Sequence, residues 1–279
     1  MILSGLIGRS VLASRSPWLH EQEARAQGLQ LTYELFDFTA RGLPDDALGP
    51  VLRDLLAKGY AGVNVTYPFK QAVMPLLDDL ADSAIAAGAV NTNAMRDGRM
   101  IGHNTDMAGF ADSMRAGLPD ARLDRVLQMG AGGAGSAVAG ALLSLGVGRL
   151  DLADVDLARA TALADRLNGW LGETRVFPLA SPVAATGEVD GIVNTTPVGM
   201  VALPGTPIDP DLIEPCHWVS DIIYFPLETA LLAAARARGC RTINGSGMVV
   251  AQAGLAFAII TGHSANQARV AQSFNAFER

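Results

Sequence analysis

The glycine-rich segment Gly130-Ala131-Gly132-Gly133-Ala134-Gly135 constrains the fold of this 279-residue chain more than any other feature. It directly follows a β-like run at residues 125–129 and opens a helical pattern that reaches about residue 145. In such a context the first glycine permits a tight turn, the second lets the backbone approach a pyrophosphate, and the third lets helix and strand pack closely. The helix N-terminus adds N–H groups and a positive dipole end. We therefore predict a Rossmann-type domain that binds a dinucleotide.

An acidic residue ends the next predicted strand. Asp154 follows residues 150–153, close to the interval of about 20 residues expected for the carboxylate that binds the adenine ribose. A carboxylate accepts hydrogen bonds from ribose hydroxyls and repels a 2′-phosphate, and the nearest arginine, Arg159, comes only later in the predicted helix. These residues favour NAD over NADP. Asp154 could also cap the helix from Leu157, a role that is compatible with ribose binding.

The composition argues against several classes of protein. The net charge of −7 and the pI near 5.1 leave no global positive field for nucleic acid, so an anionic substrate must be held by local donors. Cys216 and Cys240 cannot form a disulfide framework, and the scattered histidines argue against a metal site. No apolar run approaches the roughly 20 residues of a membrane span, and no signal peptide is visible. We expect a cytoplasmic protein.

Short β-like runs alternate with helical patterns along the chain, which predicts an α/β protein with two α/β domains and a cleft between them. The first series includes a helix predicted over 69–80, a short strand around Val90 and a hairpin at the Asp97-Gly98 turn. We assign residues 1–107, completed by C-terminal helices at about 246–279, to a substrate-binding and catalytic domain. Residues 108–245 are assigned to the Rossmann-type NAD-binding domain.

Three polar clusters in the first half of the chain indicate where chemistry could take place. Ser14-Arg15-Ser16-Pro17 places two hydroxyls at a helix start, where they could bind a carboxylate, although Ser16 could simply be the N-cap. Asn64-Val65-Thr66-Tyr67-Pro68-Phe69-Lys70 ends a strand, and open α/β sheets bind ligands there. Asn91 and Asn104-Thr105-Asp106 form the third cluster. Taken singly, each also fits an ordinary cap, turn or solvated lysine.

Together with the glycine segment, these clusters resemble the shikimate dehydrogenase family. The matching strings are Ser14-x-Ser16-Pro17, Asn64-Val65-Thr66-x-Pro68-x-Lys70, Gly88-Ala89-Val90-Asn91-Thr92, Asn104-Thr105-Asp106, the glycine segment, Asp221-Ile222-Ile223-Tyr224 and Gly247-Met248-x-x-x-Gln252-Ala253. The resemblance spans nearly the whole chain in the order of the family.

The resemblance implies a role for each of these strings. Lys70 and Asp106 would be the catalytic pair, between which the sequence does not apportion the proton. The implied substrate-binding residues are Ser14 and Ser16 for the carboxylate, Thr66, Asn91, Asp106 and Gln252 for ring hydroxyls, and also Lys70 and Tyr224. The implied cofactor-binding residues are Gly130, Ala131, Gly132, Gly133, Ala134, Asp154, Arg159, Asn194, Thr195, Pro197, Met200, Ile223, Gly247 and Met248.

The implied activity is NAD-dependent interconversion of shikimate and 3-dehydroshikimate, a reaction of aromatic amino acid biosynthesis. The substrate would be a hydroxylated cyclohexene or cyclohexane carboxylate, with neither nucleic acid nor a membrane as partner, and a homodimer stays open. Asp154-Val155-Asp156 resembles the NAD-preferring shikimate/quinate branch, since NADP-using members carry an Asn-Arg-Ser/Thr type of string there.

Other activities stay open at this level. Quinate-oxidising relatives often carry threonine at position 16, so Ser16 favours shikimate over quinate. An aminated shikimate analogue is a further candidate substrate. A generic Rossmann dehydrogenase with another substrate would leave the first-half motifs unexplained. A non-catalytic sensor of NAD and a hydroxy acid would not need both Lys70 and Asp106.

Overall fold

The computed structural model of the chain describes residues 1–276. It divides into two compact units. Unit one contains Met1–Asp106 and the chain from Val250 onwards, and unit two contains Met107–Val249. Within the described residues, none of the helices combines the length and the apolar character that a membrane span requires.

Unit one is built on a mixed sheet of six strands. The strands are β1 Ile2–Gly8, β2 Leu31–Asp37, β3 Gly62–Val65, β4 Asp79–Leu80, β5 Thr92–Arg96 and β6 Arg99–His103, in the order β2-β1-β3-β5-β6-β4. β1 pairs in parallel with β2 and β3, whereas β5 runs antiparallel to β3 and β6. The parallel half places the ends of β1 and β3 at one edge of the sheet, and the polar strings at residues 14–16 and 64–70 follow these two strands.

The helices in the first part of the chain cover this sheet. They are α1 Ser16–Ala26, α2 Leu48–Ala57, α3 Phe69–Ala72 and α4 Asp82–Ala87. The next helix, α5 Asp106–Gly117, belongs to unit two after its first residue, and Phe110 and Met114 lie in the core of that unit. A core cluster that includes Ile7, Val63, Val65, Leu52 and Phe69 joins alternate residues of β1 and β3 to α2 and α3. Because successive strand residues point to opposite faces, this alternation buries one face of the sheet under helices.

The helix predicted over 69–80 is wrong in length. α3 ends at Ala72, a 3-10 turn covers Met74–Leu76, and β4 follows. Pro75 explains the interruption, because proline lacks an N–H donor and its ring clashes with the carbonyl four residues earlier. The strand expected around Val90 begins at Thr92 instead. The predicted hairpin is confirmed: β5 and β6 pair around Asp97 and Gly98, which both have positive φ.

Unit two is built on a wholly parallel sheet of six strands. The strands are β7 Arg125–Met129, β8 Arg149–Ala153, β9 Val176–Leu179, β10 Gly191–Asn194, β11 Trp218–Asp221 and β12 Arg241–Ile243, in the order β12-β11-β10-β7-β8-β9. The strand order therefore reverses at β7. The strands β8 and β9 extend the sheet on one side of β7, and the strands β10, β11 and β12 extend it on the other side. In doubly wound sheets a dinucleotide binds across such a reversal, at the carboxyl ends of the strands.

Helices cover both faces of the parallel sheet. Unit two contains α6 Gly133–Ser144, α7 Leu157–Leu171 and α8 Ala230–Ala237. Val126 of β7 belongs to a core cluster with Leu142 of α6, whereas its neighbour Leu127 belongs to a second cluster with Leu231 of α8. The two faces of one strand thus contact different helices, as in a Rossmann-type domain. The predicted α/β class is confirmed for both units. The chain continues through α9 Ser246–Thr261 and α10 Gln267–Ala276.

Candidate active site

Lys70 and Asp106 form a close ion pair in unit one. Lys70 lies on α3, Asp106 is the first residue of α5, and the Lys70 Nζ–Asp106 Oδ2 distance is 2.6 Å. The two side chains are only 18% and 6% exposed. A pair of this kind holds an ammonium donor and a carboxylate acceptor within proton-transfer distance of each other. The structure therefore brings together the two residues that the sequence nominated for acid–base chemistry.

Asn91 holds the segment that ends in this pair. Its Oδ1 accepts a hydrogen bond from the Thr105 backbone N–H at 2.9 Å, and its Nδ2 donates to Thr105 Oγ1 at 2.9 Å. The same Nδ2 contacts Gln252 Oε1 of α9 at 3.3 Å. Val90, next to Asn91, donates its N–H to the Lys70 carbonyl at 2.7 Å. The segment 90–91 therefore contacts Lys70 itself and Thr105, the residue before Asp106, and it also contacts Gln252.

Ser14 and Ser16 lie together at the start of α1. Ser14 Oγ donates to Ser16 Oγ at 3.1 Å and accepts from the Ser16 N–H at 3.2 Å. The expectation that Ser16 caps the helix is wrong, because α1 begins at Ser16 itself and no side chain caps it. The residue at the N-cap position is Arg15. Ser14 Oγ thus already accepts from a backbone N–H of the first turn, whereas the Ser16 hydroxyl has no capping role that would compete with binding an anion.

Two residues without an assigned role in the sequence connect the serines to Asn91. The Tyr33 hydroxyl contacts the Ser16 side chain and donates to Asn64 Oδ1 at 2.8 Å. Asn64 Nδ2 in turn donates to the Asn91 carbonyl at 3.2 Å and to Thr92 Oγ1 at 3.0 Å. Burial raises the pKa of Tyr33, so its hydroxyl stays protonated. A continuous polar network thus runs beneath the site in unit one.

Thr66 and Tyr224 are the other residues that the sequence assigned to substrate. Thr66 follows β3, its N–H donates to the Ile7 carbonyl at 2.9 Å, and its carbonyl accepts from the Phe69 N–H at the start of α3. It therefore lies at the carboxyl end of the strand, one turn before Lys70. Tyr224 belongs to unit two, where it follows β11 and is 37% exposed.

The glycine segment of unit two joins β7 to α6. Gly130 has a φ of +102°, and a Cβ placed there would lie 2.6 Å from Thr195 Oγ1, so neither conformation nor space admits a side chain. Gly132 differs, because a Cβ there would meet no atom within 4 Å. The outer side of the turn is therefore open at the N-terminus of α6, as the approach of a pyrophosphate requires. Ala131, Gly133 and Ala134 complete the turn.

Gln128 supports this turn from below. Its Nε2 donates to the Gly130 carbonyl at 2.9 Å and to the Gly135 carbonyl at 2.8 Å, and its side chain is fully buried on β7. Sequence reasoning assigned no role to Gln128. The only signal was a polar residue inside an otherwise apolar strand, which is typical of a buried group with specific partners.

Asp154 lies at the end of β8 and contacts the glycine segment. Its Oδ2 accepts from the Ala131 N–H at 2.8 Å, and its Oδ1 accepts from the Asp156 N–H at 2.9 Å. Asp156, not Asp154, is the N-cap of α7, since its carboxylate accepts from the Ala158 and Arg159 N–H groups. Arg159 Nη1 lies 3.8 Å from Asp154 Oδ1. Asp154 is therefore held beside the turn rather than used as a cap.

The remaining cofactor-side residues lie after β10 and β11 and at the start of α9. Thr195 Oγ1 contacts the Met129 and Gly130 carbonyls at 2.8 and 2.9 Å, so its hydroxyl is used to hold the glycine turn. A Cβ at Gly247 would lie 2.5 Å from Ser113 Oγ, and the next residue, Met248, is buried in the core of unit two. The residues in the same loops that the resemblance nominated are Asn194, Pro197, Met200 and Ile223.

One cluster in unit two has the residue types of a metal site. Ligand atoms of Glu214, Cys216 and His217 lie within 4.8 Å of one another. However, His217 Nδ1 accepts from the Glu214 N–H at 3.0 Å, and the ring also bonds the Thr186 backbone. Burial lowers the pKa of His217. The imidazole thus serves a structural role in the turn before β11.

Three comparisons place these units among known proteins. Residues 6–92 match the family described as shikimate dehydrogenase substrate binding domain. A "Shikimate dehydrogenase (NADP(+))" of Pseudarthrobacter chlorophenolicus is 48% identical over 279 residues, covering 98% of this chain and 94% of the relative. A "Quinate/shikimate dehydrogenase (NAD(+))" of Corynebacterium efficiens is 46% identical over 280 residues, covering 98% and 97%.

A solved structure extends the likeness to the fold. The quinate dehydrogenase from Corynebacterium glutamicum in complex with NAD is 44% identical, covers 99% of both chains and superimposes with a TM-score of 0.92. The names of the relatives include both NAD and NADP, so likeness at this level does not choose between the two cofactors. The N-terminal substrate domain and the Rossmann-type domain are both accounted for: the chain belongs to the shikimate dehydrogenase family.

Proposed function

We propose that this enzyme interconverts shikimate and 3-dehydroshikimate with NAD, and that Lys70 and Asp106 carry the proton. The main support for this proposal is the 2.6 Å distance between Lys70 Nζ and Asp106 Oδ2 in unit one. Two further observations support the proposal: Asn91 and Gln252 offer polar groups to a hydroxy acid in the same unit, and the glycine turn of unit two has open space at Gly132.

The proposed reaction moves a hydride and a proton from one secondary alcohol. Bound NAD would supply the acceptor for the hydride of the carbinol carbon. Lys70 as the neutral amine accepts the hydroxyl proton while the carbonyl forms, which gives the ammonium that pairs with Asp106, and this ammonium returns the proton in the reverse direction. Asp106 Oδ2 accepts a hydrogen bond from Lys70 Nζ at 2.6 Å, so the two side chains act together as one acid–base unit.

The choice of lysine at position 70 supports a role in proton transfer. Lys58 and Lys70 are the only lysines in the sequence, and arginine occupies the other basic positions. An arginine would provide a similar charge but does not release a proton near neutral pH. Lys58 is exposed and pairs with Asp54 one helical turn away. Lys70, which is only 18% exposed and pairs with a carboxylate, is therefore the lysine that we propose for proton transfer.

The proposed substrate site binds a monoanion with neutral groups. Ser14 and Ser16 offer hydroxyls at the N-terminus of α1, where the dipole adds a favourable field without an added positive charge. Asn91 and Gln252, 3.3 Å apart, offer both donors and acceptors to ring hydroxyls. Thr66 and Asp106 complete this set in unit one, and Tyr224 is a further residue that the family motifs assign to substrate.

The proposed preference for NAD rests on Asp154. Its two hydrogen bonds to backbone N–H groups leave acceptor capacity on a carboxylate, which suits the two hydroxyls of an unmodified ribose. A 2′-phosphate would meet the charges of Asp154 and Asp156. Arg159 lies 3.8 Å from both carboxylates, so its charge is shared with two acidic groups.

Quinate oxidation is the second candidate activity. It is favoured by the quinate dehydrogenase structure, which has a TM-score of 0.92 to this chain. Quinate and shikimate share the carboxylate and the ring hydroxyls that Ser14, Asn91 and Gln252 would bind. The serine at position 16 supports shikimate as the better substrate.

The test is a matrix of initial rates with purified protein. Shikimate, quinate and an aminated shikimate analogue are each oxidised with NAD and with NADP, and kcat/KM is compared. The proposal expects the highest value for shikimate with NAD. A higher value for quinate would make it a quinate dehydrogenase, and a preference for NADP would overturn the role of Asp154. No turnover of any pair would favour a sensor instead.

A further inference from the structure

Asp221 is a buried carboxylate that joins two loops of unit two. It ends β11 and lies in register with Asn194, which ends β10, and both side chains are fully buried. Asp221 Oδ1 accepts from Asn194 Nδ2 and from the Ile223 N–H, each at 3.1 Å. Its Oδ2 accepts from Thr229 Oγ1 at 2.7 Å. Neither oxygen is left without a donor.

The first of these loops follows β10 and is organised by Asn194. Asn194 Oδ1 accepts from the Thr196 N–H at 2.9 Å and from Thr196 Oγ1 at 2.7 Å. Its Nδ2 donates to the Val198 carbonyl at 3.0 Å as well as to Asp221. The loop therefore takes its shape from one asparagine side chain, which Asp221 holds in place.

The second loop runs from Ile222 to Thr229. The Ile222 N–H donates to the Asn194 carbonyl at 3.1 Å, and the Ile223 carbonyl accepts from the Gly245 N–H at 3.0 Å. Thr229 closes the loop and caps α8, since its Oγ1 also accepts from the Leu232 N–H at 3.3 Å. The hydroxyl that binds Asp221 is thus fixed by the helix that follows.

The two loops also contact each other, since Gly199 lies close to Ile223 and Thr229. A Cβ at Gly199 of the first loop would lie 3.1 Å from Ile223 Cδ1 of the second and 3.6 Å from Thr229. Gly199 has a φ of +115°, a conformation that L side chains rarely adopt. The loops also present exposed apolar side chains, namely Met200, Val201, Leu203, Tyr224 and Phe225. A flat, largely apolar ring would find contacts on both loops.

The strand order indicates which half of a dinucleotide would lie over these two loops. Asp154, proposed for the adenine ribose, ends β8 on one side of β7. The other half of the cofactor must extend to the opposite side of β7, above the ends of β10 and β11. The loops joined by Asp221 occupy those strand ends. We propose that Asp221 is a positioning residue for the nicotinamide half of the cofactor, acting through the loops at 195–203 and 222–229. This inference rests on the proposed function.

The chemistry of the site explains why an aspartate stands here. Burial raises the pKa of Asp221, whereas the bonds from Thr229, Ile223 and Asn194 oppose this rise. Those donors are neutral, so the carboxylate is buried at an energetic cost. Only an acceptor with two oxygens satisfies all three donors. An asparagine would turn its amide N–H toward one of them and loosen one of the two loops.

The test separates the two halves of the cofactor. NADH and ADP-ribose, which lacks the nicotinamide, are titrated into the wild type and into Asp221→Asn. We expect the NADH dissociation constant to rise roughly tenfold, as for a lost hydrogen bond to a charged group. The constant for ADP-ribose should change far less, by about twofold at most, because only its terminal ribose would reach these loops while its adenosine and pyrophosphate contact Asp154 and the glycine turn.

Matched variants keep the test decisive. Asp151, another fully buried aspartate of the same sheet, pairs with Arg125 and Arg149. Asp151→Asn should lower the melting temperature and leave the ratio of the NADH and ADP-ribose constants at its wild-type value. If Asp221→Asn does not fold, Thr229→Val removes one of the donors to Asp221, and Thr229→Ser should restore nucleotide binding.

Three outcomes are distinguishable. A selective loss of NADH affinity in Asp221→Asn or Thr229→Val supports the inference. An equal loss of NADH and ADP-ribose, or no loss of either, overturns it and leaves the proposed function intact. Failure of the wild type to bind NADH, or tighter binding of NADPH, contradicts the proposed function itself.

Discussion

Lys70 Nζ and Asp106 Oδ2 lie 2.6 Å apart because one short segment of chain holds both residues. The Lys70 carbonyl accepts from the Val90 N–H, and Asn91, the next residue, holds Thr105, which precedes Asp106. The pair is thus set by backbone contacts and not by the flexible side chains alone. Fixed partners of this kind favour proton transfer, since no side-chain search precedes the chemical step.

We expect Asp154→Asn to reduce the preference for NAD over NADP. Asp154 accepts two backbone bonds, so the variant should lose activity with both cofactors. The loss in kcat/KM should be about tenfold larger for NAD than for NADP. NAD loses a charge-assisted contact to its ribose, whereas NADP is relieved of the repulsion between the carboxylate and its 2′-phosphate. The NAD/NADP ratio of kcat/KM is the quantity to measure.

Asp165→Asn is the matched control for this prediction. Asp165 lies on the exposed face of α7, well beyond the turn that contains Asp154, and the substitution changes the net charge equally. Its NAD/NADP ratio should equal that of the wild type. An unchanged ratio in Asp154→Asn would show that cofactor choice resides elsewhere.

We expect Ser16→Ala to weaken recognition of the substrate carboxylate. The wild type should prefer shikimate to its methyl ester, which lacks the negative charge. Loss of one hydroxyl donor at the N-terminus of α1 should raise the KM for shikimate roughly tenfold and raise that for the ester far less. Steady-state kinetics on both compounds measure this difference. Equal effects on acid and ester would show that Ser16 does not contact the carboxylate.

We expect His20 to destabilise the fold in mild acid. Burial lowers the pKa of His20 from 6.5 to about 4, and its ring lies 4.7 Å from that of Tyr33. His20 therefore binds a proton near pH 6.5 in the unfolded chain but only near pH 4 in the folded chain. The free energy of unfolding consequently falls as the pH drops from 6.5 to about 4. The full loss is up to about 3 kcal/mol.

Thermal unfolding at several pH values measures this effect. His20→Phe removes the titrating group, so its melting temperature should fall less than that of the wild type across the same window. The carboxylates common to both proteins cancel in the difference. His263→Phe, at an exposed position, should keep the wild-type pH dependence. Parallel curves for the wild type and His20→Phe would refute the assignment.

The sequence was most informative where a residue type has one physical use in its context. The glycine segment predicted a strand-to-helix turn, and Gly130 and Gly132 adopt it for the two different reasons expected of them. Asp154 was predicted at a strand end and lies there. Spacing along the chain fixes such local geometry, because strand, turn and helix are contiguous.

Residues whose partners are distant in sequence could not be predicted in the same way. Tyr33 lies 31 residues from Asn64, and no local pattern indicates their hydrogen bond. Asp221 was quoted only as part of a string, and its partner Asn194 is 27 residues away on a neighbouring strand. Pro75 could have warned against a helix over 69–80, since its effect is local.

The turnover of Lys70→Arg tests the central claim most directly. Arginine keeps the positive charge and an ion pair with Asp106, but it does not release a proton. We expect kcat for shikimate oxidation with NAD to fall at least about 100-fold, with an unchanged NADH dissociation constant. Lys58→Arg, the same change at the other lysine, should keep wild-type kcat. Near-normal kcat in Lys70→Arg would contradict acid–base catalysis by Lys70.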